Sequence, residues 1–343
     1  MNKEVAMSYL NTPITIKNLE IKNRLVLPPI ATERSKKGTA GTALCQYYDH
    51  MTHGGHVGLV YIEHCYIRSD GKASPNQVSA AEDSMVHGLK NIADIVHRNG
   101  SRVILQLSHA GAMADPSTLD GPAISTVDAD WRWSFWKLKK EPANVKGMTQ
   151  ADIEDIIQCY VDAAKRAKAA GYDGCEIHGA HGFLLNQFYS PLTNLRRDKY
   201  GRNDLASRIR FHLETILAVR EAVGDDFIIS LRFGAKDYIP AGSSLKDAVF
   251  ASRAFEQAGV DLISVSGGMC GFTRPDYKGP GYFSDTAAAI KQAVSVPVIL
   301  TGGITDSIEA EYFLREHKAD MIGVARAMMK DPGWAGKTLS ELG

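Results

Sequence analysis

Two histidines three residues apart, His178 and His181, stand at the end of a short apolar run, Gly174–His178. Paired imidazoles at this spacing either ligate a metal or grip an oxygen that gathers negative charge during a reaction. A metal would also need a third imidazole or a carboxylate, so oxygen binding is the favoured reading and no metal is expected. His50, His53 and His56 make a second series just before and after Gly54-Gly55, and these read as surface groups at a helix C-terminus, where a cation is favourable. Gln106 contributes an amide near His109, and Arg232 contributes a fixed positive charge at the end of the run Phe227–Arg232. A buried arginine is costly unless it faces an anion. Arg232 therefore implies either an ion pair with Glu176 or Glu63, or a ligand that acquires negative charge. The turns Thr301-Gly302-Gly303 and Gly323-Val324-Ala325-Arg326 add backbone that can approach phosphate oxygens, with Arg326 to bind them bidentately.

Something must bring these groups to one place. Apolar, β-branched runs recur at Leu25–Ala31, Val57–Glu63, Arg102–Leu107, Gly174–His178, Phe227–Arg232, Leu262–Val265, Val296–Leu300 and Met321–Val324. Each is too short for a helix and too continuously apolar for a half-exposed strand, which predicts buried parallel strands. Helical periodicity lies between them. Ile153, Ile156, Ile157, Tyr160, Val161, Ala164 and Ala167 share one face behind a capping box at Thr149 and Asp152. Further helices are predicted over 42–53, 85–98, 205–222, 247–258, 285–293 and 307–316. Eight strands alternating with helices predict an α/β fold, a (β/α)8 TIM barrel. An open doubly wound sheet is the competitor, but no G-x-G-x-x-G follows an early strand.

The chain is read as a single domain over 1–343, with 12–24 closing the barrel bottom as a hairpin and 110–147 forming a long lid-like insertion after the third strand. Trp131, Trp133, Phe135 and Trp136 in that insertion either cap the barrel or cover a substrate, and Lys137, Lys139 and Lys140 read as a solvated loop. Among 343 residues, Lys plus Arg and Asp plus Glu each total 39, so nothing points to nucleic acid or an anionic membrane surface. The N-terminus is too polar for a signal peptide, and no apolar run reaches transmembrane length. Five scattered cysteines form no C-x2-C pair, so no zinc, iron–sulfur or disulfide framework is expected and a reducing cytoplasm is the natural compartment.

The strand-end motifs together resemble the Old Yellow Enzyme family, flavin-dependent ene reductases. The resemblance runs from about Thr12 to Ala335. It rests on Lys22-Asn23-Arg24 with Pro28-Pro29, Gln106 with His109-Ala110-Gly111, and Glu176 through Gly182. Leu185 through Phe188, Ser190-Pro191, Asn194, Arg196, Arg232 and the two glycine turns complete it. The resemblance implies an FMN-binding barrel taking electrons from NADH or NADPH. Pro29, Ile30, Ala31 and His64 would contact the flavin mainly through backbone, Gln106 would bond its pyrimidine edge, and Arg232 would stabilise its anionic reduced form. Gly302, Gly303, Ala325 and Arg326 would hold the phosphate, while His178 and His181 would polarise the carbonyl or nitro oxygen of a small-molecule substrate. A homo-oligomer is expected by resemblance alone.

Two positions depart from that pattern. The family usually has a tyrosine proton donor two residues after the second histidine, and this chain has Phe183. Solvent, Tyr66, Tyr189 and Tyr282 are the substitutes considered. Ala31 replaces a Cys or Thr that often bonds the flavin, with Thr32 as a substitute if the register is offset by one. The chain also ends soon after the barrel without the cysteines of longer relatives, so FMN alone is expected. Reduction of α,β-unsaturated carbonyl compounds is the leading expectation. Nitro reduction or a dehydrogenation is the alternative that Phe183 motivates. From outside flavin catalysis come a cofactor-free barrel lyase or aldolase, which lacks a strand-end lysine here, and a flavin carrier without turnover.

Overall fold

The computed structural model of the protein describes residues 8–128 and 144–342. Two short antiparallel strands come first, β1 (Ile14–Ile16) and β2 (Leu19–Ile21). Eight strands then close a parallel barrel: β3 (Leu25–Leu27), β4 (Leu59–Tyr66), β5 (Arg102–Ser108), β8 (Gly174–Gly179), β9 (Ile228–Lys236), β10 (Leu262–Gly267), β11 (Val298–Thr301) and β12 (Met321–Gly323). Between β5 and β8, the strands β6 (Ala123–Ser125) and β7 (Val145–Gly147) pair in parallel as a separate ribbon. The barrel is the one expected, although β3 is shorter than the apolar run that predicts it, and β4 and β9 run further. The tryptophan cluster and the lysines of the insertion lie outside the described residues.

Alternation along each strand divides its side chains between two environments. Ile229, Leu231 and Phe233 of β9 and Cys175 and Ile177 of β8 face the surrounding helices. Ile228, Leu59, Tyr61, Ile104, Leu262, Ile299 and Met321 face inward at the bottom, where Ile16 and Ile21 of the hairpin plug the barrel. Higher up, the same inward face turns polar: Gln106, Glu176, Ser230, Arg232 and Ser264 are all buried. A dry floor beneath a polar upper layer is what a strand-end site requires.

The helix Gln150–Ala169 shows how local sequence fixes these elements. Thr149 Oγ1 accepts from the Asp152 amide at 3.1 Å, and Asp152 accepts from the Thr149 amide at 2.7 Å, the reciprocal cap predicted from sequence. Ile153, Ile156, Tyr160, Ala164 and Ala167 are buried, as their spacing requires, while Ile157 is partly buried against the same cluster. Among the described residues, no helix is long and apolar enough to cross a membrane, and no cluster of three His, Cys, Asp or Glu could hold a metal.

His212 of the helix Leu205–Val223 is fully buried, stacked 5.2 Å from the Phe255 ring, with neither ring nitrogen hydrogen-bonded. Burial lowers its pKa to about 3. A depressed folded-state pKa contributes stability that is present above the unfolded value and lost as pH falls toward the folded one. Below about pH 6.5, the native protein should therefore lose on the order of 1.4 kcal/mol per pH unit relative to a His212→Leu variant, as read from denaturant unfolding at several pH values.

Candidate active site

The C-terminal ends of the barrel strands open on a cavity of about 550 Å3. Pro29, Ile30, Ala31, His64, Gln106, His178, His181, Phe183, Arg232, Gly302, Gly303, Ala325 and Arg326 all line it. Sequence reasoning did not single out Met113, Phe272, Ile304 and Met329, four apolar side chains that also line it. Met113 and Phe272 fall in the insertion and in the loop after β10, where apolar periodicity carries no information about direction. Ile304 and Met329 adjoin the two glycine turns and have no signal of their own.

Arg232 stands at the cavity floor, 6% exposed. Its guanidinium donates to Ser264 Oγ at 2.7 Å, Thr301 Oγ1 at 3.1 Å and Ser266 Oγ at 3.4 Å, and Nε has no partner. Among the described residues, no carboxylate forms an ion pair with it within 4.0 Å. The ion-pair reading of Arg232 is thereby corrected. Glu63 instead accepts from the Thr32 amide and hydroxyl, at 3.1 and 2.7 Å. Thr32 is thus committed to a carboxylate and does not replace the missing polar group at Ala31. Glu176 accepts from Gln106 Nε2 at 2.7 Å and Ser230 Oγ at 3.0 Å. Burial raises both carboxyls to about 7, with nearby hydrogen bonds and, for Glu176, the Arg232 charge opposing it. Gln106 uses one N–H on Glu176, and its carbonyl oxygen remains for a donor in the cavity.

The two histidines meet edge to face with ring centroids 5.1 Å apart. His181 shares a hydrogen bond of 2.7 Å with Ser266 Oγ, and His178 Nδ1 has no partner. Burial, aided by neighbouring positive charge, holds His181 down at about 3 and His178 well below its usual value. Both rings are neutral near pH 7 and can serve a substrate oxygen as hydrogen-bond donors. His181 adopts φ +60° and Gly182 φ +73°, a tight left-handed turn off β8. Asn186 Oδ1 accepts the Gly182 amide at 2.7 Å, and Gln187 Nε2 donates to Gly182 O at 2.8 Å and Ala110 O at 3.0 Å. These amides hold a strained, non-glycine conformation at the site and tie it to the start of the insertion.

The Phe183 ring lies 4.7 Å from the His178 ring and 5.9 Å from the His64 ring. His64 reaches this position through a β-bulge: the register between β4 and β5 slips between Ile62 and Cys65, so that Glu63 and His64 together oppose Gln106. Gln77 Nε2 contacts His64 Nδ1 at 3.0 Å and His64 O at 2.8 Å, while its Oε1 accepts the Ala73 amide at 2.7 Å. That amide contact fixes which end of Gln77 is the donor, so His64 Nδ1 accepts and Nε2 carries the hydrogen. Of the tyrosines considered as proton donors, Tyr189 is fully buried and donates to Ala235 O at 3.0 Å, and Tyr66 is not part of the cavity wall. Tyr282 does line the cavity, but its hydroxyl donates to Phe272 O at 2.9 Å.

Opposite the histidines, Gly302 has φ +123° and Gly303 φ +73°. A Cβ on Gly302 would fall 2.5 Å from the Tyr282 ring, so only glycine lets this turn pack there. The exposed Arg326 completes that side, with Tyr282 OH as a partner at 3.4 Å. A buried cation with an unpartnered N–H on one side and a glycine cradle with an accessible guanidinium on the other suit a flat anionic ring system bearing a phosphate.

Comparison with known proteins agrees with this geometry. The sequence profile of the NADH:flavin oxidoreductase / NADH oxidase family matches residues 9–342. An NADH oxidase of Thermoanaerobacter brockii is 37% identical over 94% of this chain, which spans only about half of that protein (49%). An NADPH dehydrogenase of Geobacillus sp. (strain WCH70) is 35% identical over 98% of this chain and 95% of its own length. A solved 2-naphthoyl-CoA reductase bound to 2-naphthoyl-CoA superposes with a TM-score of 0.88 at 25% identity, covering 97% of this chain and 52% of that one. With a closed barrel, a strand-end cavity suited to FMN and a family match over nearly its whole length, the chain belongs to the NADH:flavin oxidoreductase / NADH oxidase family, the Old Yellow Enzyme family of oxidoreductases that use FMN with NADH or NADPH.

Proposed function

We propose that the protein reduces activated carbon–carbon double bonds of α,β-unsaturated carbonyl compounds with electrons from NADH or NADPH. The observation that carries this reading is the pair of neutral imidazoles, His178 and His181, facing the same cavity as the buried Arg232, which no carboxylate among the described residues pairs within 4.0 Å. FMN bound there supplies the hydride relay between the nicotinamide and the substrate. Arg232 would offset the negative charge of the reduced ring at its pyrimidine side, Gln106 O would accept a ring N–H, and the backbone at Pro29, Ile30 and Ala31 would border the ring. Gly302, Gly303, Ala325 and Arg326 would hold the phosphate. His178 and His181 would donate to the substrate oxygen, and such donors are worth the most where charge develops in a dry site.

Phe183, beside His178 and His64, and Phe272, beside His181, make the histidine side of the cavity apolar. That wall suits a hydrophobic acyl or enone group, and the similarity to a naphthoyl-CoA reductase adds unsaturated thioesters to the candidates. A nitro compound or quinone as acceptor is the second reading, favoured by the absence of a hydroxyl at Phe183. A cofactor-free lyase finds little support, since no lysine or carboxylate lines the cavity among the described residues.

Anaerobic mixing of the NAD(P)H-reduced holoenzyme with enones, an enoyl thioester and a nitro compound tests the reading. Reoxidation of the flavin by an enone, yielding saturated product, is expected. Reoxidation by the nitro compound alone would move the assignment to the second reading. His181→Ala should lower kcat/KM for the enone by about 10²-fold or more. Gly302→Ala must displace Tyr282 or open the turn, and purified protein should carry visibly less FMN, read from the ratio of flavin to protein absorbance.

A further inference from the structure

The ene-reduction reading leaves one step without a group to perform it, the delivery of a proton to the substrate's α-carbon, because Phe183 has none to give. Among the protic side chains of the cavity, most are already engaged. Tyr282 gives its proton to Phe272 O, and Thr301 Oγ1 donates to Val265 O at 3.2 Å while accepting from Arg232. His178 and His181 are taken up by the substrate oxygen in that reading. His64 is different: its ring is on the wall beside Phe183, and its Nε2 has no hydrogen-bond partner among the described residues.

We propose that His64 is the proton donor of this enzyme, acting from Nε2 in the place that a hydroxyl at position 183 would otherwise fill. The proposal rests on the ene-reduction reading above. Three features of the chain converge on it. The bulge in β4 adds one residue opposite Gln106 and so turns His64 onto the cavity wall. The Gln77 amide, oriented by the Ala73 N–H, fixes the tautomer with hydrogen on Nε2. The Phe183 ring, between His64 and His178, supplies an apolar surface that orients a substrate without competing for the proton.

The double bond takes a hydride at its β-carbon, whose two electrons come from NAD(P)H through the flavin, and a proton at its α-carbon from His64 Nε2. Burial keeps the ring uncharged, with its pKa at about 4, so the proton leaves a neutral imidazole. A neutral imidazole is a weak acid but has precedent as an electrophilic catalyst. The Gln77 N–H on Nδ1 stabilises the negative ring that results, and solvent returns the proton.

The test compares native protein, His64→Ala, and His64→Ala combined with Phe183→Tyr. Each NAD(P)H-reduced holoenzyme is reoxidised anaerobically in D2O by cyclohexenone, which needs a proton on carbon, and by menadione, which takes its protons on oxygen. In His64→Ala, the cyclohexenone rate should fall about 10²-fold or more relative to the menadione rate of the same variant. Deuterium in the product, followed by NMR, should go from one face of the α-carbon to both. Adding Phe183→Tyr should restore much of the lost rate. Parallel loss of both rates in His64→Ala, or a cyclohexenone rate that does not change, would overturn the assignment of His64. Native protein that is reoxidised by menadione but not by cyclohexenone or other enones would instead overturn the ene-reduction reading, and the His64 proposal with it.

Discussion

A guanidinium shut inside a barrel sets the terms for everything above it. Arg232 is supported by hydroxyls from β10 and β11, yet a cation out of water costs several kcal/mol that neutral hydroxyls only partly offset. The groups around it leave that charge incompletely offset. Glu176 is occupied by Gln106 and Ser230 and raised to about 7, so it does not cancel the positive charge fully near neutral pH. His178 and His181 are held neutral, with the same charge contributing. In the proposed reading, an anionic ligand above Arg232 would offset the charge that the hydroxyls leave.

The other features follow from the need to bring polar groups to the top of a dry barrel. The hairpin plug of Ile16 and Ile21 excludes water from below. Above it, the left-handed turn at His181 costs backbone strain, and Asn186 and Gln187 hold it in place. Gln187 also binds Ala110 O, which couples the geometry of the histidine turn to the root of the insertion. The glycine turn across the cavity is as constrained, since Tyr282 packs where any side chain on Gly302 would go.

Much of this was legible in the sequence because strand periodicity and strand ends are local properties. Once eight apolar runs were placed, several residues at or just past their C-terminal ends, among them Ala31, His64, His178, Arg232, Thr301 and Ala325, were found on the cavity lining, whereas the end of the sixth run contributes none. Legibility failed where position depends on a partner far along the chain. The bulge between Ile62 and Cys65 exists only in register with β5, so nothing local distinguishes His64 as a side chain on the wall from His64 as a backbone contact. The capture of Thr32 by Glu63 and the setting of the His64 tautomer by Gln77 likewise join segments separated by 31 and 13 residues. The side chains of Met113 and Phe272 are aimed by loops, whose direction the apolar pattern does not encode.

The central claim is that the charge of Arg232 is matched by the reduced cofactor, and the midpoint potential of the bound flavin reads this directly. Removing a buried unit charge at contact distance is worth on the order of 2–4 kcal/mol at an effective dielectric constant of about 20, or about 40–90 mV for a two-electron couple. The potential measured for Arg232→Met holoenzyme should therefore lie more negative than that of the native protein by roughly this amount. Equal potentials in flavin-loaded protein of both kinds would contradict the account and leave the buried guanidinium without the role given to it here.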